Sequence, residues 1–155
     1  MKKFALALAA IFVLAIACGG GGTPDQVVQK FLDAWNSGDG DGVVSCMSSD
    51  GIAQLDGYIE ILKADPETSV TQLATLGIEF TPEEVENLTV AQFLTAMLSN
   101  EEAASSMPDL SNVEIGEATI SEDGQNATVV VIADGDEEEL ELILEDGNWK
   151  ISETP

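Results

Sequence analysis

The sequence lacks two residue types that are common in enzyme sites, histidine and arginine. It contains no histidine, and its five basic residues are all lysine. Histidine is the usual general base near neutral pH and the commonest metal ligand. Its absence excludes Ser-His-Asp and Cys-His catalytic sites as well as histidine zinc sites. We therefore expect no metal site, no cofactor and no catalytic residue of these kinds.

Cysteine is nearly as scarce, because the chain has only Cys18 and Cys46. If Cys18 is modified, Cys46 remains the one thiol and an intramolecular disulfide is impossible. Cys46 lies between Val44 and Met47, a setting that predicts a buried structural thiol. An intermolecular disulfide and a redox role are the alternatives.

Positive charge is the third shortage. The chain has 29 acidic residues against five basic ones, and its net charge is −24. Such a surface repels phosphate backbones, which excludes nucleic acid as a partner, and it repels anionic lipid head groups. Two interpretations of the acidity stay open: a salt-adapted surface protein, or a strongly solvated envelope domain.

The one long apolar run, residues 4–17, is too short for a membrane-spanning helix, which needs about 20 residues. Lys2 and Lys3 precede the run and small residues end it, a pattern typical of an export signal. We predict that residues 1–17 are a signal peptide cleaved after Ala17. Cleavage removes Lys2 and Lys3 and no acid, so the net charge changes from −24 to −26.

The segment Leu14-Ala15-Ile16-Ala17-Cys18 resembles the lipobox of bacterial lipoproteins. Ala15 stands where that motif usually has leucine. The resemblance implies that Cys18 carries palmitate-type acyl chains, which hold a protein on a membrane at about 0.8 kcal/mol per buried methylene. Residues 18–22 would then be the lipidated cysteine and a glycine tether. An ordinary secretory signal that leaves Cys18 as a free thiol is the alternative.

This anchor predicts a location in the cell envelope, facing the periplasm or the exterior. Gly19, rather than aspartate, follows the cysteine. By analogy with bacteria that have two membranes, this residue permits transfer to the outer membrane.

Residues 23–108 have a helical pattern. Thr23-Pro24-Asp25-Gln26 predicts a capped helix start, and Ser37-Gly38-Asp39-Gly40 predicts its end. A short helix is expected over residues 41–48. Apolar stripes predict further helices: Ile52, Leu55, Ile59 and Leu62; Val70, Leu73 and Leu76; and Val90, Phe93, Leu94, Met97 and Leu98 after Thr89.

Residues 110–153 change to a period of two. Four strands are predicted, at about 112–121, 125–133, 138–145 and 148–152, with acidic Gly-containing turns between them. The second strand is apolar on both faces, so it should be central, and its outer face should be covered by the helical segment or by another subunit. A change of parity near Gly116 predicts a β-bulge. The expected fold is one α+β domain over residues 23–155, with N-terminal helices and an extended helical middle packed on a curved antiparallel sheet.

Both ends of the mature chain resemble the nuclear transport factor 2-like superfamily, which includes SnoaL-like domains and the cystatin-like roll. The opening helix, residues 24–35 with Ser37-Gly38-Asp39, resembles its first helix, and residues 145–151 resemble its last hairpin. Small bacterial lipoproteins with a domain of unknown function belong to this group. The resemblance does not cover residues 55–108. It implies a cone-shaped roll with a pocket between helix and sheet, in a group where some members are isomerases or cyclases and many only bind or dimerise.

Trp35, Tyr58 and Trp149 are the candidates to line such a pocket, and core packing is the alternative for the two tryptophans. Relatives similar to ketosteroid isomerase use a pocket aspartate with a tyrosine. Tyr58 is the one tyrosine, and Asp33 and Asp56 are the candidate acids. A solvated face for Asp33 and a core edge for Tyr58 are the alternatives.

Two acidic clusters have the composition of candidate cation sites. Residues 39–42 alternate Asp and Gly but continue into two valines, which breaks the EF-hand pattern. The acids of residues 134–139 could collect divalent cations weakly, and a solvated hairpin tip is the alternative.

The sequence as a whole predicts a non-enzymatic envelope lipoprotein that binds a small apolar ligand or an envelope protein. The apolar outer face of the second strand adds the expectation of a homodimer through the sheet. A carboxylate-based enzyme of the same superfamily and a salt-adapted surface protein are the alternatives.

Overall fold

The computed structural model describes residues 22–133 and 135–152. The predictions on the signal peptide, Ala17 and Cys18 therefore lie outside the described residues. Within the described part, no helix combines the length and the apolar character needed to cross a bilayer.

The described chain is α+β, with helices first and an antiparallel sheet after them, as predicted. The helices are α1 (Pro24–Ser37), α2 (Gly40–Cys46), α3 (Ser49–Ala64), α4 (Pro66–Ala74), α5 (Pro82–Glu86), α6 (Val90–Ser99) and α7 (Glu101–Ala104). The strands are β1 (Glu114–Ile120), β2 (Asn126–Ala133), β3 (Asp136–Glu145) and β4 (Asn148–Ile151). They pair as a meander in the order β1-β2-β3-β4.

Local signals set the ends of α1. Thr23 and Gln26 form the predicted capping box, and Pro24 occupies the first turn. Gly38 ends the helix in the left-handed conformation with φ of 73°, which glycine adopts without a steric penalty. The second helix begins one residue before its predicted start and ends at Cys46, because Ser48 caps α3 by accepting a hydrogen bond from the Gly51 backbone N–H.

The apolar stripes of the middle segment mark real helices, with one error. Ile59, Leu62 and Leu73 are buried as expected. The prediction that Leu76 continues the α4 stripe is wrong, because α4 ends at Ala74 and the side chain of Leu76 is 39% exposed. The turn into Gly77, whose φ is 74°, takes Leu76 off the helix.

The sheet confirms the predicted centre and bulge. Strand β2 pairs with β1 on one side and with β3 on the other. The β1–β2 register shifts between Ile115 and Ala118, which places the bulge at Gly116. Met47 forms a parallel bridge with Ile151 and so ties the α2–α3 connection to the edge of β4.

The core fills the space between the helices and one face of the sheet. On that inner face Ala127, Val129, Leu140, Leu142 and Ile151 are buried, and α1 lies against β1, β2 and β4. The largest fully buried side chains come from every layer: Phe31, Ile59, Leu73, Leu88, Leu142 and Ile151. Val130 and Ile132, on the outer face of β2, are not among the residues packed against the core, so the helical segment does not provide the cover that was predicted for this face.

Candidate functional site

One depression in the described chain is a groove between helices, here called the helical groove. It measures about 860 Å³ and is open to solvent on one side. Its walls come from α5, α6, the start of α2 and the segment around Phe80. The lining residues are Asp41, Phe80, Glu83, Glu84, Asn87, Leu88, Thr89, Ala91, Gln92, Thr95, Ala96 and Ser99. This volume lies within the range of about 300–1,000 Å³ typical of small-molecule sites.

A close contact between α2 and α6 shapes one wall of the groove. The Gly40 backbone N–H donates to Thr95 Oγ1 at 3.1 Å. A Cβ at position 40 would lie 2.1 Å from the Ala91 carbonyl oxygen and 2.5 Å from Thr95 Oγ1. Only glycine lets the two helices approach this closely, so Gly40 fixes the position of α6 and of the side chains that α6 presents to the groove.

The chemistry of the groove is amphipathic and negative. Phe80, Ala91 and Ala96 provide apolar surface, whereas Asp41, Glu83 and Glu84 bring carboxylates, and no lysine lines the groove. The groove therefore suits a ligand that combines apolar surface with positive charge.

Glu84 is a fixed negative charge at this site. Its Oε2 accepts hydrogen bonds from the Thr81 backbone N–H at 2.7 Å and from Thr81 Oγ1 at 2.8 Å. The backbone donor first, and then the hydroxyl, hold the pKa of Glu84 below its usual value. The capping box that starts α5 thus also keeps one acid of the groove ionised.

A second, smaller cleft of about 440 Å³ opens where α1 passes the bulge of β1. Asp25, Gln26 and Gln29 face Ile115, Gly116 and Ala118 across it. The bulge widens the space at this edge of the sheet, and deeper in, Val28, Phe31 and Val129 fill the interval between α1 and the sheet. The cleft offers less apolar contact than the helical groove.

The aromatic residues predicted to line a pocket do not meet in either of these cavities. Trp35 and Trp149 are half-buried and pack against the core, and the Trp35 ring lies 5.6 Å from the ring of Phe31. Tyr58 is 46% exposed and packs against Phe93 at a ring distance of 5.7 Å. Both tryptophans thus follow the core-packing alternative.

The candidate acids for an isomerase-like pair lie on the surface. Asp33 is exposed on α1 and accepts a hydrogen bond from Gln29 Nε2 at 2.8 Å. Asp56 is exposed on α3, the helix that carries Tyr58. None of these three residues lines the helical groove or the cleft beside β1.

Cys46 is buried at the end of α2, with 2% of its surface exposed, in agreement with the structural interpretation of this thiol. Two lysines converge on the neighbouring residue. Lys30 Nζ donates to Ser45 Oγ at 2.9 Å, and Lys150 Nζ donates to the Ser45 carbonyl oxygen. Positive charge is favourable at this end of a helix, where carbonyl groups are left unpaired.

The acidic hairpin tip is only partly described, because Asp134 lies outside the described residues. Asp136, Glu137, Glu138 and Glu139 are exposed at the start of β3. Over residues 22–133 and 135–152, no group of three or more acidic or cysteine side chains is arranged to hold a metal ion.

The sequence did not indicate that the residues of the helical groove form a site. Phe80, Ala91 and Thr95 are ordinary residues of amphipathic segments, and their meeting depends on a contact between residues 55 positions apart. The local signal that could have pointed to it is Gly40 at a helix start, where a missing side chain permits close helix packing.

Comparison with known proteins gives one structural likeness. No protein-family model matches the chain. No curated protein matches it significantly. A crystal structure from Campylobacter jejuni, described as an NTF2-like transpeptidase, is similar to 86% of this chain and to all of its own, with 17% identity and a TM-score of 0.40. A likeness at this level carries no conclusion about activity.

Proposed function

We propose that this chain is a lipid-anchored envelope protein with a non-enzymatic binding role, and that the helical groove is its ligand site. The ligand class is an amphipathic molecule that carries a positive charge. The observation that supports the site is the groove itself, about 860 Å³ in volume, where apolar side chains meet three carboxylates.

The binding role follows from the chemistry present on the chain. Apolar groups of a ligand would displace water from Phe80, Ala91 and Ala96, and its cationic group would lie near Asp41 or Glu84. A hydrogen-bonded, ionised Glu84 is suited to hold a cation and poorly suited to accept a proton. This favours binding over acid–base catalysis in the groove.

The anchor is tested by acylation of the full chain. We expect radiolabelled palmitate to be incorporated when the chain is expressed in a bacterium, and the protein to sediment with membranes. The variant Cys18→Ser should lose both the label and the membrane association. Cys46→Ser is the matched control, because it removes the buried thiol and should leave the label in place. Equal labelling of wild type and Cys18→Ser would refute a lipid on Cys18.

The groove is tested with a long-chain alkylamine as a probe, followed by NMR shifts of backbone amides. We expect saturable shifts on α5 and α6. Ala91→Trp should abolish them, because the indole would occupy the groove, whereas Ala53→Trp adds the same ring to an exposed position on α3. Shifts that persist in Ala91→Trp, or that spread evenly over the surface, would reject the groove as the site.

A further inference from the structure

The outer face of the sheet is a second surface, separate from the helical groove. Side chains alternate across a strand, and Val129 and Val131 point into the core, where they are buried. Val130 and Ile132 therefore point to the opposite side. Both are half-buried, and neither is packed against the core.

Carboxylates border this apolar stripe on both sides. On β3, Glu139 pairs with Val130 and Glu137 pairs with Ile132. On β1, Glu114 pairs with Ile132. All three glutamates are exposed, and neighbouring strands lie about 4.8 Å apart. The outer face is thus a narrow apolar strip between two acidic edges.

The bulge leaves the centre of the strip open. A Cβ at Gly116 would lie 3.2 Å from the Cβ of Val130, so a larger residue at position 116 would crowd Val130 from the β1 side. With glycine there, Val130 remains only half-buried. The strip is continuous from Val130 to Ile132.

We propose that the outer face binds a basic amphipathic helix of a partner protein. The apolar side of such a helix would lie on Val130 and Ile132, and its lysines or arginines would reach Glu114 on one edge and Glu137 and Glu139 on the other. A helix with side chains is about 10–12 Å across, which matches the width of about 10 Å spanned by three strands. Ion pairs between its basic residues and the glutamates of both edges would fix its register on the strip.

Charge complementarity selects this partner over a second copy of the chain. Two copies meeting through this face would bring like-charged glutamates together, at a cost in free energy. The three lysines of the described residues already have partners: Lys63 Nζ lies 2.9 Å from Glu60 Oε1, and Lys30 and Lys150 both donate to Ser45. The homodimer expected from the sequence therefore becomes the competing outcome of the test.

The test measures binding of a synthetic lysine–leucine peptide, designed as an amphipathic helix, to the mature chain with Cys18→Ser. Every buried core residue of the part that the structure describes lies between Val28 and Ile151, so this unacylated chain keeps that core. We expect saturable binding that weakens with added salt. Glu139→Lys should weaken it about tenfold or more, because it replaces an attraction at the edge of the strip with a repulsion.

Two further variants separate the proposed face from general attraction to an acidic protein. Glu67→Lys makes the same charge change at an exposed position on α4 and should weaken binding by less than about threefold. Val130→Thr changes no charge and should also weaken binding. Equal effects of Glu67→Lys and Glu139→Lys, no binding at all, or sedimentation showing a dimer that Val130→Thr dissociates would each overturn the proposal. The groove proposal is independent, because Ala91→Trp should not affect this peptide.

Discussion

At the residue scale, two glycines in helices have opposite roles. Gly40 has no room for a side chain, since a Cβ would meet the Ala91 carbonyl oxygen at 2.1 Å. Gly57, inside α3, has no atom within 4 Å of the place where a Cβ would stand. The residue type alone does not distinguish the two positions.

We therefore expect Gly40→Ala to lower the free energy of unfolding by about 2 kcal/mol or more, because overpacking pushes α2 away from α6. Gly57→Ala should raise it by about 0.5–1 kcal/mol, because alanine is the better helix former in an exposed helix interior. Urea unfolding of both variants against wild type is the measurement. A neutral Gly40→Ala would show that the close α2–α6 contact does not exist.

The pKa of Glu84 gives a second test at this scale. In an NMR titration of side-chain carboxyl carbons, Glu84 should titrate below the usual glutamate value of 4.5. Thr81→Val removes the hydroxyl donor and keeps the backbone donor, which is the larger cause, so the pKa should rise but stay below 4.5. A lowered folded-state pKa stabilises the fold above the unfolded-state pKa. That contribution is lost as the pH falls through the folded-state value. A Glu84 that titrates at the usual value in wild type would contradict the capping box.

At the element scale, one carboxylate joins the sheet to the helices. Glu145, at the end of β3, accepts hydrogen bonds from the Ser49 backbone N–H at 3.1 Å and from Ser49 Oγ at 2.7 Å. Ser49 is the first residue of α3, where unpaired N–H groups favour a negative charge. Glu145 therefore caps the start of α3, although it lies 96 positions from Ser49 in the sequence.

Glu145→Gln should lower the free energy of unfolding by about 1 kcal/mol, because the charge at the helix start is lost while the side-chain shape is kept. Glu141→Gln is the control, since Glu141 is an exposed glutamate of the same strand. A double-mutant cycle with Ser49→Ala measures the coupling. Additive effects of the two changes would mean that the contact contributes nothing.

Elements set by local chemistry were predictable from the sequence, and elements set by distant contacts were not. The cap at Thr23, the Asp-Gly turn at Asp146-Gly147 and the bulge at Gly116 all follow from a few neighbouring residues. The end of α4 before Leu76 is different. Its turn places Gly77 in the left-handed conformation, and the side chain of Asn100, from 23 positions away, donates to the Gly77 carbonyl oxygen at 2.6 Å.

The same difference between local and distant contacts applies to the faces of β2 and to the two tryptophans. The run of apolar residues along β2 predicted that this strand is central in the sheet, because apolar side chains fall on both of its faces. The pattern could not show which face the helices would cover, since that depends on how α1 crosses the sheet. The sequence likewise left open whether Trp35 and Trp149 line a pocket or pack against the core. Their packing against the core follows from the position of α1, which the spacing of residues does not fix.

At the scale of the whole molecule, the acidity should make stability depend on salt. The chain has 29 acidic residues, and the one ion pair of the described residues, between Lys63 and Glu60, is partly exposed. Salt screens repulsion among many acids and weakens only this attraction. We expect Tm to rise by several degrees from low salt to about 1 M NaCl. Glu67→Lys reduces the repulsion among acids, so its Tm should rise less with salt. A wild-type Tm that does not change with salt would reject net repulsion as a determinant of stability.

The proposed ligand site, the helical groove, can be tested by native mass spectrometry of the mature domain after exposure to an extract of the cell envelope. We expect a retained mass of a few hundred daltons on wild type and on Ala53→Trp, and none on Ala91→Trp, whose side chain fills the groove. Wild type that emerges with its own mass alone, or Ala91→Trp that retains the ligand, would contradict this proposal.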